Sequence, residues 1–173
     1  MIELLIAMAI LSIAIGALML SFASSAVSLR RAGQKGTALT LADTQMEWYR
    51  RLPFTGVRID GSLIPAGGSY VTAHSADPTI PPSTGQALAG QNGDAPCSGG
   101  AACDPEQPVT GPDQHSYLIQ TYVDYVNNDA TLSIRTPACG LTLKRVTIVV
   151  RDGTTGTIMA REQSAFERSP VAC

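Results

Sequence analysis

Three regimes of apolar patterning divide the 173-residue chain, and each predicts a different kind of element. From Leu4 to Leu29 about 26 residues carry no charge, and Leu, Ile, Ala and Met dominate. A helix needs about 20 such residues to cross a hydrocarbon core, so this segment is long enough to span a bilayer. It contains no Pro and is rich in good helix formers, with Gly16 and Ser21, Ser24 and Ser25 as weak points. Beyond Arg30 the helical period continues: Leu29, Ala32, Leu39, Ala42, Met46 and Tyr49 or Trp48 can form one apolar stripe. Gly33 and Gly36 weaken this half by about 1 kcal/mol each relative to Ala. Pro53 ends the helix at or before Leu52. A helix of about 50 residues, roughly 75 Å at 1.5 Å per residue, is the expectation.

The remaining pattern is first loop-like and then strand-like. Val57 to Asp113 is rich in Gly, Pro, Ser, Thr and Ala, whereas Tyr117 to Phe166 turns to β-branched and aromatic residues. The runs HSYLIQTYVDYV, ATLSIR, LKRVTIVVR and GTIMAREQSAF read as strands, with Asp152-Gly153-Thr154-Thr155 as a hairpin turn. Val57–Ile64 and Ser69–Thr72 are candidate extra strands, and His74 to Gln114 reads as mostly loop. The fold expected is α+β: a long N-terminal helix whose amphipathic half carries three or four antiparallel strands. Three parts follow: an apolar helix at 1–29, its amphipathic continuation at 30–52, and a loop-rich head at 53–173.

Charge and cysteines narrow the function. Twelve basic and fourteen acidic residues leave a net charge of -2, without the basic stripe of a nucleic-acid footprint. Cys97, Cys103, Cys139 and Cys173 form no CxxC pair, and His74 and His115 lie far from them, which argues against zinc. Four cysteines after a membrane-length segment suit disulfides in an oxidising compartment. Cys97–Cys103 and Cys139–Cys173 are the favoured pairing of three possible ones.

A cleaved signal peptide would have a basic start and a shorter apolar core than this segment. A plain anchor accounts for the length but leaves Glu3 unexplained. A carboxylate at the edge of an apolar helix is unfavourable unless paired, by roughly 2.5–3.5 kcal/mol at a bilayer centre. A positive charge on a neighbouring copy would satisfy it and set the axial register between two otherwise featureless helices.

The run IELLIAMAILSIAIGAL, with its acid at Glu3, resembles the N-terminus of type IV pilins and of the pseudopilins of type II secretion. The segment LADTQMEWYRRLPF is more weakly similar to the helix end of minor-pilin-like subunits. The resemblance implies a pilin-like fold, removal of a short basic leader by a prepilin peptidase, and methylation of the new terminus. It also implies polymerisation through the helix, with Glu3, Leu4, Leu5, Ile6, Ile10, Ile13 and Gly16 as subunit-assembly residues. Gly16 reads either as a point where the helix unwinds on assembly or as a close helix contact through a small residue. The family pattern places further residues before Ile-Glu, where this chain has only Met1. By the positive-inside rule Arg30 and Arg31 alone would put the head in the cytoplasm, against the disulfides. Upstream coding sequence that ends in Gly just before the mature terminus is therefore expected.

Other chemistries find little support. Asn92, Asp94, Asp104, Glu106 and Asp113 could offer oxygen ligands to calcium, but they match no EF-hand spacing. No nucleophile elbow, phosphate-binding loop or glycosylation sequon is present, and Tyr117, Tyr122 and Tyr125 suit sheet packing. The chain reads as a non-enzymatic structural subunit without cofactor, a major pilin of a surface fibre. Its partners would be further copies of itself, the prepilin peptidase and pilus assembly machinery. It would reside in the cytoplasmic membrane as a precursor and then in the extracellular filament. The alternatives are a minor pilin or a secretion or DNA-uptake pseudopilin, and a membrane-tethered binding domain that never polymerises.

Overall fold

The computed structural model describes residues 2–83, 86–87, 97, 100–126 and 143–167. Helix α1 runs from Ile2 to Arg50, ending just ahead of Pro53. The chain forms two compact units, 1–36 and 37–173, so their border falls within α1 rather than at its end. In the second unit the elements are α2 (Ser69–Ala76), β1 (Glu106–Thr110), β2 (Ser116–Tyr125), β3 (Leu143–Asp152) and β4 (Ile158–Glu167). The four strands form one antiparallel sheet in the order β1-β2-β3-β4. The α+β layout, a long N-terminal helix on a four-stranded antiparallel sheet, is thus present.

The sheet is covered on both faces, so the residues of β2 and β3 are buried almost continuously rather than alternately. On one face Ala38, Ala42, Met46 and Tyr49 of α1 pack against Tyr117, Ile119, Val123, Val146, Ile148 and Val150. On the other, Tyr70 and Ala73 of α2 pack with Ile80, Tyr122 and Val149. There the Tyr70 and Tyr122 rings stack with centroids 4.5 Å apart and planes 7° from parallel.

The buried stripe of α1 differs from the expected one. Ala38, Ala42, Gln45, Met46 and Tyr49 are buried, whereas Leu29, Ala32 and Leu39 are exposed. Leu39 lies one position, about 100°, round the helix from Ala38. Small side chains at Ala38 and Ala42 leave room for the large tyrosines and β-branched residues of the sheet.

Val57–Ile64 and Ser69–Thr72 are not strands. Val57, Arg58 and Ile59 are buried extended backbone between two 3₁₀ turns, Phe54–Gly56 and Gly61–Leu63. Side chains, not a ladder, satisfy that backbone: the Lys144 ammonium donates to Val57 O at 2.8 Å and to Phe54 O at 3.1 Å. Ser69–Thr72 opens α2, following Gly68 at a φ of 87° that favours glycine. Within the expected loop from His74 to Gln114 lies β1, an edge strand whose Pro108 stands opposite Leu118. Gln86 and Ala87 continue β1's side of β2, with Ala87 N donating to Val123 O at 2.6 Å. The run ATLSIR lies outside the described residues.

The β3–β4 turn forms where expected but for a different reason. Positive φ occurs at Gly156, not at Asp152 or Gly153. Asp152 acts through its carboxylate, which accepts from the amides of Thr154 and Thr155 at 2.8 Å each. Gly153 is required for space, since a Cβ there would lie 2.4 Å from Ser116 Oγ.

Candidate functional site: an apolar helix with charged ends

Large apolar side chains stand on every side of α1 from Ile2 to Leu29, because Leu4, Leu5 and Ile6 follow one another while the helix turns about 100° per residue. They are exposed in the single chain, from 49% at Ile15 to 75% at Leu20. A helix apolar all round is stable only when something else covers it. By length and composition it is long and apolar enough to cross a membrane. Two of its five serines suit an apolar surrounding: Ser12 donates to Met8 O at 2.8 Å and Ser25 to Ser21 O at 2.9 Å. These bonds satisfy those two hydroxyls without water.

Glu3, Leu4, Leu5, Ile6, Ile10, Ile13 and Gly16 all lie on this exposed surface. No other group lies within 4 Å of a Cβ built on Gly16, so a side chain would fit there in the isolated chain. Glu3 sits in the first turn, where the helix dipole favours an acid, and has no ion-pair partner among the described residues. At the other end Arg30, Arg31 and Lys35 are exposed. Lys35 was not singled out from the sequence, although its place four residues after Arg31 is visible there.

In the head, Cys97 and Cys103 are joined in a disulfide with Cα atoms 6.1 Å apart, while Cys139 and Cys173 lie outside the described residues. The disulfide-closed loop docks on α1 and its neighbours. Gln45 Nε2 donates to Ala102 O at 2.9 Å, and Asp60 N donates to Cys103 O at 2.9 Å. Tyr49 OH lies 3.3 Å from Arg58 O and 3.4 Å from Ala102 O, and burial raises its pKa. Gln45, Arg58 and Lys144 are buried here, and Gln45 and Lys144 anchor the region through their side-chain bonds. Sequence reasoning missed all three, since long polar side chains are normally exposed.

Among the described residues, the carboxylates considered for calcium, Asp104, Glu106 and Asp113, do not converge. Glu106 accepts from Gln120 Nε2 at 2.7 Å and Asp113 from Tyr117 OH at 2.6 Å, while Asn92 and Asp94 lie outside the described residues. Among the described residues no three His, Cys, Asp or Glu side chains are grouped to hold a metal. His115 Nε2 lies 2.9 Å from Asp152 Oδ2, which ties together the two turns at that end of the sheet. Two backbone amides, reinforced by His115, hold the Asp152 carboxyl down at about 2. The Tyr117 hydroxyl is pushed up to about 12, by desolvation first and then by Asp113. No hydroxyl or thiol among the described residues hydrogen-bonds the His115 ring.

A 49-residue helix, apolar for its first half and packed on a four-stranded sheet in its second, defines the class of this protein as far as architecture goes. No family model matches the chain, and no curated protein or solved structure matches it either.

Proposed function

We propose that this chain is the structural subunit, a major pilin, of a type IV pilus-like filament and polymerises through the apolar half of α1. The observation that carries this reading is the uncharged surface from Leu4 to Leu29, exposed all round and headed by one acid. Before assembly lipid would cover it, and in the filament the same segment of neighbouring copies would. Each fully buried Leu or Ile contributes about 1.5–3 kcal/mol relative to exposure, so a bundle of such helices holds without covalent links. Glu3 would pair with a positive charge on the next copy and select one axial register. The Cys97–Cys103 disulfide supports a head outside the cytoplasm, where such bonds persist. A prepilin peptidase and the assembly machinery would act on the precursor in the membrane.

The test is Glu3→Ala in the native cell, with sheared fibres examined by electron microscopy and head folding followed by circular dichroism. Fibre yield should fall at least tenfold while the head stays folded. An undiminished yield removes Glu3 from the mechanism. Complete absence of fibres from the unaltered protein favours a tethered, non-polymerising domain instead.

A further inference from the structure

The acid at one end of the apolar segment has a basic counterpart at the other. Arg30, Arg31 and Lys35 follow the uncharged stretch directly, are all exposed, and form no ion pair among the described residues. The next acid, Asp43, lies eight residues beyond Lys35, about 12 Å along the helix at 1.5 Å per residue. Nothing on the same stretch of α1 therefore neutralises the three cations. Glu3 precedes Arg30 by 27 residues, about 40 Å on the same measure. A bilayer with its headgroup regions is about 40–45 Å thick, so the two charged ends match the two headgroup levels.

The placement round the helix adds chemistry to this match. Arg31 and Lys35 are four residues apart and share one face, and Arg30 extends the charge about 100° further round. Arg31 lies on the same face of α1 as Leu20, Ala23, Ser24, Val27 and Ser28. Ala23, Ser24 and Ser28 are small, so an acyl chain can lie close along that face, and the guanidinium at its end suits a phosphate. An acyl chain with a phosphate at one end is the chemistry of a phospholipid.

We propose that Arg30, Arg31 and Lys35 form a collar that binds the phosphates of anionic phospholipids and holds the subunit at a fixed depth before assembly. This rests on the membrane reading of the apolar segment given above. A zwitterionic lipid brings its own cation to the phosphate and competes with the collar, so net anionic headgroups are preferred. A basic residue near an anionic surface favours binding about fivefold, so three give a preference on the order of 100-fold.

The test offers the full chain, in dilute detergent, equal amounts of two vesicle populations. One is phosphatidylcholine, the other phosphatidylcholine with phosphatidylglycerol. The chain should favour the phosphatidylglycerol vesicles by on the order of 100-fold at low salt, and less as salt screens the charges. The R30Q/R31Q/K35Q variant should insert into both and lose most of that preference, while R51Q, altered just beyond the end of α1, keeps it. Equal insertion of the unaltered chain into both populations overturns the lipid assignment and leaves an acid on a second copy as the occupant. Retained preference in the triple variant overturns it as well. Insertion into neither population overturns the membrane reading itself, which separates the two failures.

Discussion

Asp124 is fully buried in β2, with Oδ2 3.4 Å from an Arg145 nitrogen and Oδ1 without a hydrogen-bond partner among the described residues. Desolvation pushes its carboxyl from 3.8 up to about 7, against the opposing pull of Arg145 and, more weakly, His74. Because the folded-state pKa is the higher one, the folded protein holds this proton more tightly than the unfolded chain does. The penalty for an ionised Asp124 is thus complete above about pH 7 and is relieved as pH falls towards 3.8. It amounts to at most about 4 kcal/mol, at about 1.4 kcal/mol per unit. Asp60, Asp77, Asp113 and Asp152 are shifted down instead, so their contributions are lost only below the usual carboxylate range. Thermal unfolding of the head should therefore show a higher midpoint near pH 5 than near pH 8. Asp124→Asn should flatten that difference, and an unchanged pH slope in the variant would refute this role for Asp124. None of this is legible from the sequence. Asp124 lies in a strand-like run, but nothing local says that its side of the strand is buried.

The interface between α1 and the sheet separates the stripe read from the sequence from the one the fold uses. Met46 is fully buried in the core, whereas Leu39 is 56% exposed. Met46→Ala should destabilise the head by about 2–5 kcal/mol, the usual range for truncating a large buried side chain. Leu39→Ala should change stability by no more than about 0.5 kcal/mol. Urea unfolding of both variants decides the matter, and equal losses would mean that the helix packs in the other register. Strands β2, β3 and β4 and the turn between the last two were legible, because β-branched and aromatic runs bounded by Asp-Gly leave few alternatives. Helix α2 and strand β1 were not. Eight residues of Ser, Tyr, Val, Thr, Ala and His carry no strong helical period, and Pro108 argues against a strand unless it lies at an edge.

For the molecule as a whole, both clusters of buried apolar residues belong to residues 37–173, and none of their members comes from 1–36. A chain that begins at Thr37 should therefore remain soluble without detergent and unfold in one cooperative transition, followed by calorimetry and sedimentation. Aggregation, or the absence of a transition, would show that the first unit is needed for folding. The full chain should need detergent, lipid or other copies of itself, because its exposed apolar helix cannot be satisfied by its own head.

The chain's own pattern of residues determined the long helix, its uncharged half, the lone acid near its start and the strand-rich C-terminal part. These are properties of consecutive residues, and periodicity and hydrophobicity act over a few turns or one strand. Tertiary structure alone decided which face of α1 is buried, how Lys144 and Asp124 come to lie out of water, and how β1 and Gln86–Ala87 share one edge of β2. Most of these depend on residues far apart in the chain meeting in space, as when Lys144 bonds Phe54 O across 90 residues. Local sequence carries no record of such meetings.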